Sequence, residues 1–263
     1  NRLNPGRELS LGAFGTIFNG SLDWYAIVNN GQATLNDNGR AVNDANDQKE
    51  GILALRYRPF MGSGSDFLKG MRLSLAGSYG SVDNAPGTSF DLISTELSIM
   101  YADATGGAFD GYRRRVVPQL SWPIGPFSIR GEYTYRADEL ANAASRDALR
   151  TKAWYAYLTY ILTGEDKRPE ERIVPKGEWG AVEVGFRVAS LTIDDAFTSG
   201  VFVQAGNTNS IYAYTFGVNW WVTRNVRFTL DVIREHYSDP ITFDTGRTER
   251  MLMGMIFRGQ IDF

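Results

Sequence analysis

The stretch MLMGMIFRGQIDF at residues 251–263 alternates between apolar and polar side chains through most of its length. Successive side chains of a β-strand point to opposite faces, so a period of two predicts a strand with one apolar and one polar face. The apolar parity holds Met251, Met253, Met255, Phe257, Ile261 and Phe263, and the polar parity holds Arg258, Gln260 and Asp262. This stretch therefore predicts a strand that separates an apolar environment from an aqueous one.

The same alternation recurs along the whole chain, in about eleven segments of roughly 9 to 14 residues. In the clearest of them, such as 226–232, the apolar parity carries no charge. One repeated signal predicts one domain over residues 1–263. The predicted strands are 9–18, 21–29, 50–59, 70–80, 112–122, 127–135, 151–162, 182–188, 212–222, 226–232 and 251–263.

The length of these segments favours a transmembrane antiparallel β-barrel, an all-β fold. Membrane strands need about 9 to 11 residues, whereas soluble strands have about 5 to 6. A β-sandwich with its apolar face inward is the alternative that alternation alone leaves open. Aromatic residues near the segment ends fit interfacial girdles, and a last residue such as Phe263 is usual in bacterial outer-membrane barrels. These aromatic residues are Trp24, Trp122, Trp154, Tyr160, Trp179 and Trp220.

The composition excludes several other classes of protein. With 43% hydrophobic residues and a mean hydropathy of -0.26, the chain has no apolar run of the roughly 18 to 20 residues that a spanning helix needs. A net charge of -3 and a pI near 5.4 argue against nucleic-acid binding. The absence of cysteine excludes disulfides and thiolate metal sites.

The connections between the predicted strands alternate in length, which orients the barrel. Outer-membrane barrels have short periplasmic turns and longer extracellular loops. Placing the C-terminus in the periplasm puts every long link outside, makes the first strand run downward, and implies that an odd number of strands precedes Asn1. Counting residues 90–101 as a twelfth strand would break this pattern, so we reject it. The long links are 30–49, 81–111, 137–150, 190–208 and 238–248.

Several short motifs resemble the phosphate-selective porin O and P family over nearly the whole chain. They are Asp110-Gly111 with Arg113, Arg115, Pro118 and Gln119, then Gly125-Pro126-Phe127 with Glu132-Tyr133, YLTYILTGE at 157–165, WGAVEVGFR at 179–187 and NWWVTRNVRF at 219–228. The resemblance implies a sixteen-stranded, trimeric, anion-selective channel with an inward-folded constriction loop. It also implies that about five strands and that loop precede Asn1.

Ten arginines share the polar parity and form the predicted pore-lining, anion-contacting set. They are Arg56, Arg58, Arg72, Arg113, Arg115, Arg130, Arg136, Arg187, Arg227 and Arg258. Five acids share that parity, which gives an excess of about +5 for attracting anions. They are Asp23, Glu132, Glu183, Asp231 and Asp262. The alternative is that the arginines simply neutralise acids on neighbouring strands.

The cluster Arg113 to Arg115 is the strongest functional candidate, because it lies at the mouth of a downward strand. Arg114 falls on the outward parity, where it would reach lipid headgroups or contact lipopolysaccharide. Residues 137–150, ADELANAASRDALR, are predicted as a short loop helix or helical hairpin cap. His236 is the only histidine. It shows no constellation with a nucleophile, so neither a catalytic site nor a cofactor is expected.

The sequence therefore predicts an integral porin of the bacterial outer membrane that passes small anions, phosphate among them. Its expected partners are the lipid bilayer, lipopolysaccharide and two further copies in a homotrimer, with strands such as 209–222 as a flat outer wall. Two alternatives remain open. One is a general diffusion pore, and the other is a structural barrel that anchors an envelope assembly, for instance through the periplasmic link 163–177.

Overall fold

The computed structural model describes most of the chain as antiparallel β-strands joined by turns. The described residues are 9–30, 48–83, 90–93, 100–104, 108–141, 146–168, 171–194, 208–243 and 246–262. The strands are β1 Ser10–Ile17, β2 Leu22–Asn29, β3 Glu50–Tyr57, β4 Arg72–Asp83, β5 Phe90–Ile93, β6 Met100–Ala104, β7 Ala108–Ile124, β8 Phe127–Ala141, β9 Arg146–Ile161, β10 Ala181–Ile193, β11 Ser210–Trp221, β12 Val226–Thr242 and β13 Thr248–Ile261. One short helix, α1, covers Asp66–Lys69.

Eleven of these strands form one sheet, which confirms the predicted number. Its order is β1-β2-β3-β4-β7-β8-β9-β10-β11-β12-β13, and each pair described is antiparallel. The sheet is open in the described part of the chain, because β1 and β13 each have one neighbour. Within the described part of the chain, β5 and β6 pair only with each other, so Phe90–Ile93 and Met100–Ala104 add no strand to this sheet, as predicted.

The predicted helix at 137–150 is wrong. β8 continues to Ala141 and β9 begins at Arg146, and residues 137–141 pair in register with 146–150. Leu140 and Leu149 lie on one face of this extension and are buried. Alanine, leucine and glutamate favour helices, but this preference is weak and the cross-strand pairing outweighs it.

The strand register sorts the side chains onto two faces, because directly paired residues point the same way. One, the apolar face, presents exposed hydrophobic side chains, for example Phe186, Phe216 and Met255. The other, the polar face, carries buried charged and hydroxyl groups, for example Glu183 and Thr159. In a soluble protein the hydrophobic face of a sheet is buried and the polar face is exposed. Here the hydrophobic side chains are exposed and the polar ones are buried, as in the wall of a barrel that lies in lipid.

Strands β7 to β13 carry four or five consecutive outward-facing apolar positions each, which form an apolar band. On β9, for example, the band runs from Leu162 to Trp154. Four or five outward positions correspond to roughly nine residues, the length that a tilted membrane strand needs. Among the described residues, no helix is sufficiently long and apolar to cross a membrane.

The two ends of the sheet differ in their connections. At one end, the short-turn end, the chain reverses at residues 18–21, 125–126 and 222–225. Phe18, Asn19 and Gly20 adopt positive φ angles in the first of these turns. The opposite end, the long-connection end, carries the segments that the sequence places outside the cell.

Candidate functional site

All ten predicted pore-lining arginines lie on the polar face. The register fixes this directly in several places, where Arg115 is opposite Arg136, Arg56 is opposite Asp23, and Arg258 is opposite Thr229. Their exposure differs strongly along the sheet. Arg130 and Arg258 are exposed, Arg113, Arg115 and Arg136 are buried, and Arg56, Arg58, Arg72, Arg187 and Arg227 are intermediate.

The buried arginines cluster toward the long-connection end, where each contacts a carboxylate. The Arg113 guanidinium donates to Asp138, and Arg136 Nε donates to the other oxygen of Asp138 at 2.5 Å. Arg115 donates to Glu50, and its exposed fraction is 3%. A buried guanidinium is stable only when it is paired and hydrogen-bonded. The structure therefore ties the strongest sequence candidates, Arg113 and Arg115, into ion pairs.

Three buried carboxylates on the polar face were not among the five predicted acids. They are Glu50, Asp138 and Glu235. Adding them sets the ten arginines against eight carboxylates (5 + 3), so the excess falls from +5 to +2 (10 − 8). Glu50 and Asp138 continue the polar parity of their strands and were detectable from the sequence. Asp138 was missed because its segment was interpreted as helical.

The connection from Leu162 to Gly180 is here called the inner turn, and its described residues are 162–168 and 171–180. They are anchored by hydrogen bonds among themselves and to the neighbouring turn between β7 and β8. The buried Glu165 carboxylate accepts from the Thr163 hydroxyl and from the Lys176 amide, the latter at 3.0 Å. Burial alone would raise the pKa of Glu165, but these hydrogen bonds hold it below its usual value. The Lys167 amide donates to the Gly125 carbonyl at 2.7 Å. The inner turn is thus a folded unit.

The same turn is fastened to the polar face of the sheet. The Lys167 ammonium donates to Glu183 and to the hydroxyl of Thr159, both polar-face residues. Ile173 packs into an apolar niche on that face. The niche is formed by Ile161, Ala181 and Trp221. The inner turn therefore folds over the polar face at the short-turn end instead of projecting away from it.

Between the inner turn and the sheet lies a cavity of about 360 Å³, here called the vestibule. Six cationic and three acidic side chains line it, an excess of +3 (6 − 3). They are Arg130, Lys167, Arg168, Arg172, Arg224 and Arg227 with Glu171, Glu183 and Asp262. Burial and the neighbouring charge of Arg130 lower the pKa of Lys167 to about 8. A concave site with this charge suits a small anion.

Sequence reasoning found four charged residues of this vestibule through strand parity: Arg130, Arg227, Glu183 and Asp262. Lys167, Arg168 and Arg172 lie in the inner turn, where no periodicity indicates direction. Their inward position follows from the seating of Ile173, a tertiary contact. His236, the only histidine, is exposed on the apolar face, and its Nδ1 lies 3.1 Å from the Arg250 carbonyl oxygen.

The antiparallel sheet, with its exposed apolar face and charged polar face, defines the class as an outer-membrane β-barrel. The family model of phosphate-selective porin O and P matches residues 3–258. The chain belongs to that family, which confirms the resemblance of its motifs and places it in the bacterial outer membrane.

The chain is also similar to individual proteins of the outer membrane. Porin O of Pseudomonas aeruginosa is 27% identical over 187 residues, which cover 67% of this chain and 40% of Porin O. The chain thus spans less than half of that relative. The structure of Pseudomonas putida OprB at high pH is similar with a TM-score of 0.50 at 10% identity, over 96% of this chain and 58% of OprB. The outer-membrane expressed OmpT of Vibrio cholerae gives a TM-score of 0.44 at 10% identity, over 95% of this chain and 64% of OmpT.

Proposed function

We propose that the complete protein is a passive outer-membrane pore that selects small anions, phosphate or another oxyanion, through its arginine-bearing polar face. The observation that carries this proposal is the vestibule, where six cations face three acids. A positive surface with low-dielectric walls concentrates anions and lowers their barrier to entry. Membership of a phosphate-selective family supports the same solute class.

The arginines divide into two roles in this proposal. Arg130, Arg227 and Arg258, toward the short-turn end, are accessible to a passing solute, as are the half-buried Arg56, Arg58, Arg72 and Arg187. The planar guanidinium fork can pass an oxyanion from one donor to the next. Arg113, Arg115 and Arg136 hold the wall together through ion pairs and act on the solute only through their residual field.

We propose that the strand number, constriction loop and oligomeric state of the complete protein are those implied by its resemblance to the family. The complete pore has sixteen strands with an inward constriction loop, works as a homotrimer and contacts lipopolysaccharide. It is a channel that needs neither a cofactor nor a catalytic residue. The short-turn end faces the periplasm, and the long-connection end faces outward.

The zero-current potential of the complete protein in a planar bilayer under a salt gradient tests the proposal. We expect an anion-selective potential and a fall in chloride current when phosphate is added. Arg130→Gln with Arg227→Gln should reduce the selectivity, whereas Arg114→Gln, on the apolar face, is the matched control. A potential near zero in the unmodified protein would favour a general diffusion pore, and a protein without channels would favour a structural barrel.

A further inference from the structure

A group of cations and tyrosines lies on the apolar face just beyond the apolar band, at the long-connection end. We call it the outer patch. It consists of Tyr79, Tyr112, Arg114, Tyr135, Arg150 and Lys152. The strands β4, β7, β8 and β9 that carry it are adjacent in the sheet.

The strand register brings the three cations of the patch together. Arg114 is opposite Ala137, Ala137 is opposite Arg150, and Lys152 is opposite Tyr135. Arg114 and Arg150 are therefore two strands apart, about 10 Å. Only the methyl group of Ala137 lies between them, and that residue is 4% exposed because the long flanking side chains cover it.

The tyrosines complete one side of the patch. Tyr79 is opposite Arg114, and its ring stacks on that of Tyr112 with centroids 5.4 Å apart. Both rings are more than half exposed. Tyrosines at this height are typical of an interfacial girdle, where the ring contacts acyl chains and the hydroxyl reaches headgroups.

The acids near the patch already have partners. Asp194 accepts from Arg150 at 2.9 Å, and the side chain of Arg150 remains 52% exposed. Glu139 accepts from the Tyr112 amide at 3.1 Å and lies 3.9 Å from Arg146. Arg114 and Lys152 are exposed at the boundary of the apolar band. The patch therefore presents positive charge where acyl chains give way to headgroups.

This geometry points to a binding site for the phosphorylated headgroup of lipid A, the anchor of lipopolysaccharide. Lipid A fits because its acyl chains can lie along the apolar band below Lys152 while its phosphates meet the three cations. The site rests on the orientation given in the proposed function, which makes this end extracellular. It is separate from the pore, since the patch lies on the opposite face of the sheet.

The test titrates the complete protein in detergent with purified bisphosphorylated lipid A and measures bound lipid by native mass spectrometry. Each cation near an anionic lipid contributes about fivefold, so Arg114→Gln with Lys152→Gln should weaken binding by roughly twenty-fivefold. Arg234→Gln is the matched control. It removes an outward-facing cation whose neighbours across the strands are Tyr214 and Met253, and we expect unchanged binding.

Two further measurements separate the possible sources of the interaction. Monophosphorylated lipid A should bind more weakly, and inorganic phosphate should not compete, because it lacks the acyl chains. Equal binding by the double variant, or full competition by inorganic phosphate, would overturn the site. Dissociation of the oligomer by the double variant would instead make the patch a contact between copies. Single-channel current in the same variant should be unchanged, because the patch lies on the face opposite the pore. If the unmodified protein proved not to select anions, lipid A binding would still stand, so the two proposals can fail independently.

Discussion

Asp138 holds two arginines within the polar face, so its charge stabilises the wall around it. Replacing it with Asn leaves Arg113 and Arg136 buried with one fewer carboxylate. Breaking a buried pair by removing one partner costs about 3 to 5 kcal/mol. We expect Asp138→Asn to lower the temperature at which the complete barrel unfolds. This is measured by heating samples to a series of temperatures before gel electrophoresis, because the folded and unfolded forms migrate differently.

Asp110→Asn is the control for this substitution. Asp110 pairs with Arg146 at 2.7 Å, but both side chains are about half exposed. Exposed pairs contribute about 0 to 1 kcal/mol, so this variant should unfold close to the unmodified temperature. Equal losses in the two variants would mean that the buried Asp138 pairs contribute no more stability than an exposed pair.

Lys167 should make the selectivity of the pore depend on pH. Its pKa is lowered to about 8, so the ammonium is charged below that pH and becomes neutral as the pH rises through it. The vestibule then loses one positive charge, and anion selectivity should decline between about pH 7 and 9. The zero-current potential measured over this range checks the prediction.

Lys167→Arg should flatten that pH profile, because a guanidinium stays charged at any working pH. Lys176→Arg is the matched control in the same turn and should leave the profile unchanged. A decline that persists in Lys167→Arg would assign the titration to another group.

The inner turn is an element whose seating depends mainly on one apolar side chain. Ile173 is 8% exposed in its niche, whereas Val174 beside it is 56% exposed. Ile173→Ser removes buried apolar surface at a cost of about 2 to 3 kcal/mol, which should loosen the turn and widen the periplasmic mouth. Single-channel conductance should rise and become noisier in Ile173→Ser. Val174→Ser should conduct normally, and normal conductance in both would show that the turn does not narrow the pore.

The β8–β9 hairpin shows which part of a secondary-structure element could be predicted from the sequence and which part could not. Parity placed Arg130 and Glu132 on the correct face because alternation depends only on local backbone geometry. The same parity continues through Arg136 and Asp138, but helix-forming residues beyond them obscured it. Pairing of residues 137–141 with 146–150 is a contact between segments, which propensity does not contain.

The eleven-stranded sheet sets a condition on closure of the whole barrel. Since neighbouring strands are antiparallel and their number is odd, β1 and β13 run in the same direction. An all-antiparallel barrel has an even number of strands, so an odd number of further strands must separate these two edges. We expect Ala13→Cys with Phe257→Cys, both on the apolar face at a similar distance from the short-turn end, to form no disulfide in the complete protein.

Val232→Cys with Met255→Cys is the positive control for this experiment, because these residues are directly opposite on β12 and β13. The 263-residue chain has no native cysteine that could compete with the introduced pairs. A disulfide between Ala13→Cys and Phe257→Cys would show that the two edges meet directly.

At the scale of the molecule, three features were predictable because each follows from a period of two. They are the number of strands in the sheet, the face toward which each side chain points, and the location of all ten arginines on the polar face. The pairing of Arg113, Arg115 and Arg136 was not predictable. Each partner is fixed by the register and by side-chain reach, which a single strand does not encode. The vestibule was not predictable for the same reason, since it depends on how the inner turn lies against the sheet.

In the proposed pore, the uneven distribution of paired and accessible arginines makes the two mouths electrically different. At the long-connection end the buried guanidinium groups are paired with buried carboxylates, whereas the vestibule at the short-turn end keeps an excess of positive side chains. Fixed charge concentrated at one mouth accumulates mobile anions under one voltage polarity and depletes them under the other. A channel built this way rectifies: at low salt it should pass more current in one direction than in the other.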